Sequence, residues 1–416
     1  MNFNFRKILV IGIAVLAFLV IFLGVRALFF GGQDTGDTGK NTGDTRDTGD
    51  IRDTGDTGDT GDTGVKRDTG GGSTTVSLNQ NIQNIQQREK IKALSDRPVI
   101  GIGLNREGDR IVYYDKETGQ VFRISFDGKI WERISDVQIQ SITKVTWAPT
   151  RDKVIIEQTF RQGSGQASAI KYDYDYNAGK KYNLDSHIKK IVWSPDGQKI
   201  LYHYWDPQNQ SNVAIANFDG SHWFSVTPSE MSGLDFAWPK QDTATFIAPE
   251  GSFYGATLYY MKIAPPYSLI KMIDNKYGFS VNWSPKGNKM IYSVKEDKDA
   301  TNAELYLRDL DKETETNLSI NALPEHCVWS VSENSVYCAE ATQNFLGILP
   351  QDYQKKLSLG GDSFWKIDLE ARQIKEIYIP KTGEQIYDTT EMIASPLEDF
   401  IFFVNKLDGK LYSLSL

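Results

Sequence analysis

From about Lys90 to the C-terminus, short apolar runs alternate with polar turns at nearly constant spacing. The clearest copy is Trp193-Ser194-Pro195-Asp196-Gly197-Gln198-Lys199-Ile200-Leu201-Tyr202, with Ile191-Val192 just before it. Proline presets φ near about −65°, and Asp-Gly supplies turn chemistry. The pattern therefore predicts the end of one strand, a tight turn and the start of the next. The Trp position recurs as Leu104, Trp147, Trp193, Trp238, Trp283, Trp329 and Ala394, a period of about 45 residues broken by one longer final interval. Two positions earlier stand Ile102, Val145, Ile191, Phe236, Val281, Cys327 and Met392, all apolar. Nine positions later come Tyr113, Ile156, Tyr202, Ile247, Tyr292, Cys338 and Phe403. Trp238-Pro239 and Trp329-Ser330-Val331 are degenerate copies of the turn.

Four strand-like runs fit in each repeat. In the third they are 189–193, 199–204, 212–217 and 223–227, with Phe218-Asp219-Gly220-Ser221 as the last hairpin turn. Phe126-Asp127-Gly128-Lys129 and Asn177-Ala178-Gly179-Lys180 turn the same hairpin in the first and second repeats. One four-stranded sheet would expose both faces, whereas radial stacking buries them against their neighbours. The predicted fold class is all-β: a seven-bladed β-propeller of four-stranded antiparallel blades over residues 90–416. The last repeat holds three runs, 388–394, 400–404 and 411–416, and lacks a fourth. Residues 90–96 resemble the fourth strand of the first repeat, 131–136, so they are expected to pair with 411–416 and close the ring. Deleting residues 88–96 should sharply lower thermal stability.

The repeated Trp-Ser-Pro-Asp-Gly motif resembles that of the TolB-like, WD40-related propeller family. The resemblance covers roughly Ile91 to the C-terminus and rests on repetition rather than on one copy. It departs from true WD40 repeats in lacking their Gly-His and closing Trp-Asp. The N-terminal domain that accompanies the propeller in TolB is replaced here by an anchor and a tether. The resemblance implies a fold and a binding habit, not a partner.

The first 89 residues follow a different pattern. Residues 1–7 are polar and form a cytoplasmic N-terminus, with Arg6 and Lys7 at their end. Ile8 to Val25 is unbroken apolar sequence, about 27 Å long as a helix, which approaches the bilayer hydrocarbon thickness. It is followed by Arg26-Ala27-Leu28-Phe29-Phe30 rather than an A-x-A cleavage site, so residues 8–30 are expected to be a transmembrane signal anchor. Residues 31–72 are built on Asp-Thr-Gly. Without apolar flanks these are not the aspartic-protease tripeptide, and they predict a disordered, low-complexity linker. Residues 73–89 form an Asn/Gln-rich second linker. The propeller would then sit outside the membrane, in the cell envelope.

Composition narrows function mainly by exclusion. A net charge of −8 argues against a nucleic-acid partner. Four scattered histidines suggest surface or satisfied polar positions rather than ligands. No nucleophile elbow, zinc helix, phosphate loop or Cys-His pair occurs, so no catalytic residue, cofactor or metal ligand is assigned. Asp173-x-Asp175-x-Asn177 is half of a calcium loop, but Ala178 and Leu184 replace its Gly and Glu, which leaves calcium a weak candidate. Cys327 and Cys338 should face each other across a hairpin. A disulfide and a pair of core thiols both fit.

The second-to-third strand loops are expected to be short in repeats one and seven and long in two to six. Repeat six carries an insertion, Gln343 to Gly361, in which 351–357 could form a short helix. The binding-face candidates are Phe160, Arg161, Tyr204, Trp205, Phe253, Tyr254, Phe345, Leu346 and Tyr353. Large apolar loop residues mark contact sites, and packing onto the insertion's own base is the equal alternative. The expected function is non-catalytic binding of an envelope protein or peptide, with a lipid bilayer contacting the N-terminal helix. A glycan or cell-wall module and an enzyme using the axial channel are the rivals.

Overall fold

The computed structural model describes residues 90–416, apart from 162–166, 177–178, 207, 209–210, 230–233, 249–253, 343–349, 351 and 353–360. The side chains of 160–173 and of Asp175 also fall outside the described set, as do the expected anchor and linkers, residues 1–89. Among the described residues no helix is long and apolar enough to cross a membrane.

The described chain is all-β. It opens with β1 (Ile91–Ala93). Repeat one follows as β2 (Val99–Leu104), β3 (Arg110–Asp115), β4 (Val121–Ser125) and β5 (Trp131–Arg133). Repeat two is β6 (Ile142–Trp147), β7 (Lys153–Arg161), β8 (Ala167–Asp175) and β9 (Lys180–Asn183). Repeat three is β10 (Ile188–Trp193), β11 (Lys199–Tyr204), β12 (Asn212–Asn217) and β13 (Phe224–Pro228). Repeat four is β14 (Asp235–Lys240), β15 (Thr243–Ala248), β16 (Ala256–Lys262) and the first half of the long β17 (Ile270–Trp283). The second half of β17 begins repeat five, with β18 (Lys289–Lys295), β19 (Glu304–Asp309) and β20 (Thr314–Asn317). A 3-10 turn, Pro324–His326, leads into repeat six: β21 (Cys327–Trp329), β22 (Ser335–Ala341), β23 (Asp362–Asp368) and β24 (Gln373–Tyr378). Repeat seven has β25 (Thr389–Ala394), β26 (Phe400–Asn405) and β27 (Leu411–Ser415).

Within each repeat the strands pair antiparallel in chain order, and β1 adds to β27 as the outermost strand of the last sheet. Its register sets Ile91 opposite Leu414 and Ala93 opposite Tyr412. Leu94 N–H extends the ladder by donating to Leu411 O at 2.8 Å.

The Trp-Ser-Pro-Asp-Gly stretch explains why the first two strands of a repeat form a hairpin. Ser194 Oγ accepts from Lys199 N at 2.9 Å and donates to Asp196 Oδ1 at 2.6 Å. Gly197 N closes the turn on Ser194 O at 2.9 Å. Gly197 has φ +64°, and a Cβ there would lie 2.8 Å from Thr150 Oγ1 in the preceding repeat's turn, so only glycine fits without a shift. Ser284, Ser330 and Ser395 accept from Lys289, Ser335 and Phe400 in the same way. The degenerate copy at Trp329 thus keeps the serine function after losing Pro-Asp-Gly.

The core lies in layers between neighbouring sheets. Strand alternation sends Ile200 and Tyr202 into one layer, with Trp193 and with Ala148 and Ile155 of repeat two. Leu201 faces the other way, into a layer with Phe236, Trp238 and Met261 of repeat four. Both faces of β11 are buried over 200–203, and Ile200, Leu201 and Tyr202 accordingly follow one another without alternation. The tryptophans also bond across layers: Trp147 Nε1 donates to Gly101 O at 2.8 Å, and Trp193 Nε1 to Thr146 O at 3.0 Å. On the far side Glu391 of β25 accepts from Gly101 N at 3.1 Å and Ile102 N at 2.8 Å, linking repeat seven to repeat one.

Cys327 and Cys338 face each other across β21 and β22 and are joined in a disulfide, with Cα atoms 4.1 Å apart. Repeat three places Ile191 opposite Tyr202 at the same register. The cystine therefore occupies a core position.

Candidate functional site

The second-to-third strand connections share one end of the sheets with the links from each repeat to the next. In repeat two the expected long loop is largely strand. β7 and β8 pair from Lys153↔Asp175 to Arg161↔Ala167, leaving only 162–166 between them. Phe160 and Arg161 therefore close a strand rather than occupy a loop, because the backbone ladder to β8 continues to Arg161. Their side chains lie outside the described residues. So do Phe253, Phe345, Leu346, Tyr353 and nearly all of the 343–361 insertion, including its expected helix.

Three candidates are described. Tyr204 ends β11 and Trp205 follows it, both half-buried. Tyr254 is 73% exposed. The structure joins the first two to a pair of histidines. His187, in the link from β9 to β10, sets its ring 5.3 Å from that of Tyr204, and its carbonyl accepts Trp205 N at 2.9 Å. His203 lies under Trp205 with ring centroids 5.8 Å apart. His187 Nδ1 is 2.8 Å from Asp185 Oδ1. His203 is fully buried, which takes it out of the surface class and leaves the other reading its isolation in sequence suggested, a polar group held in the interior; burial pushes its pKa down, so it stays neutral.

Beside this cluster a groove of about 640 Å³ opens between β9 and repeat three. Leu184, Asp185, Tyr202, Tyr204, Asn212 and Trp223 are prominent in its lining. Trp223 immediately precedes β13 and is 62% exposed. Burial first, then the charge of Asp185, pushes the Tyr202 phenol up to about 12, which keeps its proton in place at neutral pH. Trp223 was not among the candidate residues, because its run was read only as an outer strand. The signal that would have found it is the repetition of Phe-Asp-Gly-x-x-Trp at 126–131 and 218–223.

The carboxylates of Asp235 and Glu391 on innermost strands, and of Glu325 in the 3-10 turn before β21, are each engaged. Asp235 pairs with Lys190, Glu325 accepts from Ser280 Oγ at 3.0 Å, and Glu391 holds the two amides of β2. Burial raises the pKa of both Glu325 and Glu391. A second buried group lies where the insertion rejoins the sheet. Asp362, the first residue of β23, accepts from Thr389 N at 2.6 Å. Burial, followed by the charge of Asp388, pushes its carboxyl up to about 7. Asp388 is itself 3.7 Å from Lys406 Nζ. Among the described residues no three His, Cys, Asp or Glu side chains are grouped as metal ligands.

No protein-family model and no curated protein matches the sequence. Solved structures do match. An oligogalacturonate lyase in complex with manganese aligns at TM-score 0.55 with 11% identity, over 78% of this chain and 93% of that one. The β-propeller domain of the Trilobed protease from Pyrococcus furiosus, a domain of open velcro topology, aligns at TM-score 0.50 with 10% identity, over 76% and 96%. TolB from Acinetobacter baumannii aligns at TM-score 0.43 with 13% identity, over 72% and 67%. At such identities the likeness concerns the fold. The chain is a β-propeller, and the structures that carry this likeness include a lyase and the propeller domain of a protease.

Proposed function

We propose that this protein is a non-catalytic binding propeller of seven blades, held at the outer face of the cell membrane by residues 8–30 and spaced from it by residues 31–89. It captures an envelope protein or peptide on the face that carries the second-to-third strand loops. Seven blades are supported by the division of β17 between β16 and β18, which leaves seven four-stranded sets. The tether is supported by the apolar run Ile8–Val25 and the Asp-Thr-Gly repeats after it.

One observation carries the binding reading: Tyr204, Trp205, His187 and His203 converge at the open end of repeat three. Rigid aromatic residues with a polar edge are the side chains most often responsible for interface energy. The test is capture of envelope proteins by the full-length chain in detergent, with a photo-crosslinking residue in place of Tyr254. A defined partner should crosslink, and should be lost when 343–361 is deleted and weakened by Trp205→Ala. The reading fails if no partner crosslinks, or if the same partner crosslinks equally to the deletion variant.

A further inference from the structure

The Trp223 groove has a structural duplicate. In repeat one, Phe126-Asp127-Gly128-Lys129-Ile130-Trp131 matches Phe218-Asp219-Gly220-Ser221-His222-Trp223 residue for residue at Phe, Asp, Gly and Trp. Both glycines have positive φ, +73° and +82°, so both hairpins turn the same way. Trp131 and Trp223 are each 62% exposed, although tryptophan is normally among the better-covered residues. In front of Trp131 lies a groove of about 680 Å³ between the β1 end of repeat seven and repeat one. The linings correspond position by position: Leu94 with Leu184, Tyr113 with Tyr202, Gln120 with Asn212, and Gly128 with Gly220. The Tyr113 phenol is also pushed up to about 12, by burial and then by Asp96, as the Tyr202 phenol is by burial and Asp185. Among the described residues neither phenol hydroxyl is engaged in a hydrogen bond, so each is a protonated donor facing its groove.

We infer that the two grooves are duplicate binding sites for the ring of a neutral sugar. The shared elements are an exposed indole face, a phenol donor, an amide and a leucine floor, within the size range of small-ligand sites. A pyranose offers a matching surface, with an apolar C–H face for the indole and a rim of hydroxyls for the phenol and amide. Charge selects against acidic sugars and phosphates. The Trp223 groove holds Asp185 and Asp219, and among the described residues no cationic side chain lines it. In the Trp131 groove Arg97 lies 3.9 Å from Asp115, and Arg133 lies 2.6 Å from Asp136, so both cations are already paired. The corresponding groove between repeats five and six carries Ile374 where the indole would stand and is lined by Lys312 and Arg372. It lacks the aromatic platform and serves as an internal contrast.

The Trp223 groove adjoins the proposed protein-binding cluster, since Tyr204 belongs to both, and the experiment separates the two. Full-length protein in detergent is titrated calorimetrically with cellotetraose, mannotetraose and chitotetraose, and with tetragalacturonate as the acidic control. At least one neutral sugar should bind with two sites per chain. Trp131→Ala and Trp223→Ala should each leave one site, the double variant none, and Trp223→Phe should keep weakened binding. Both indoles are exposed, so coincident thermal melts will show that the variants remain folded. The inference is overturned if no neutral sugar binds, if binding survives the double variant, or if tetragalacturonate binds as tightly. Crosslinking of a protein partner at position 254 should be unchanged in the double variant.

Discussion

Trp193 and Trp223 belong to the same repeat and to two different repeating motifs, and they have opposite fates. Trp193 ends the innermost strand of its sheet. It is packed among Ile191, Ile200 and Tyr202, and its indole N–H bonds to the preceding repeat. Trp223 precedes the outermost strand and is mostly in solvent. Recurrence by itself therefore does not separate scaffold from site. An innermost strand lies between two neighbouring sheets, so a large residue repeated there fills an inter-sheet layer. An outermost strand has a free edge, so a tryptophan repeated there gains little from packing and is available to a ligand.

The largest effect should come from the buried member. Trp193→Ala should cost about 3–5 kcal/mol, read as a shift in the urea midpoint. A cost below about 1 kcal/mol would erase the contrast, since that is the range of an ordinary surface change. A smaller effect tests whether burial alone governs these layers or whether polar groups in them are also held under stress. Burial raises the folded-state pKa of Asp362 from the ordinary carboxylate range to about 7, so its protonated form suits the native site. Its favourable contribution is complete below the unfolded value and is lost as pH rises through about 7. Asp362→Asn should match the parent near pH 4 and gain on it up to pH 8, by about 2–4 kcal/mol. A constant difference across that range would show that Asp362 does not change its charge there. The smallest stability effect belongs to the exposed member. Trp223→Ala should leave the urea midpoint within about 0.5 kcal/mol of the parent. A cost comparable to that of Trp193→Ala would mean the outer indole is scaffold after all.

The scaffold was legible because turn chemistry and strand alternation are local. Ser-Pro-Asp-Gly announces its own hairpin, and in repeat three the two central strands, 199–204 and 212–217, run as the apolar pattern places them. The segment after Lys90 could be matched to the end of the chain because it resembled another fourth strand. Strand length at the sheet ends was not legible. The polar residues after Ile156 suit a loop and a two-sided strand equally, and β7 continues to Arg161. The candidate site was less accessible still. His187 meets Tyr204, and Leu184 meets Trp223's groove, only because the link from β9 runs past repeat three. No spacing along the chain encodes that meeting. The Trp131 and Trp223 hairpins were visible as turns, but their tryptophans become conspicuous only once the outer edge of the sheet is known.

The pairing of β1 with β27 also has a mechanical consequence. Tension entering this fold from the residues before Lys90 reaches a three-residue strand first. That strand is retained by its ladder to Leu414, Ser413 and Tyr412, and by Leu411 N bonding to Ser95 Oγ at 2.9 Å. Among the described residues no strand pairs with its opposite edge. Under load the chain should therefore yield at this seam, unzipping the outer strand of one sheet before the layers between the other sheets bear any force.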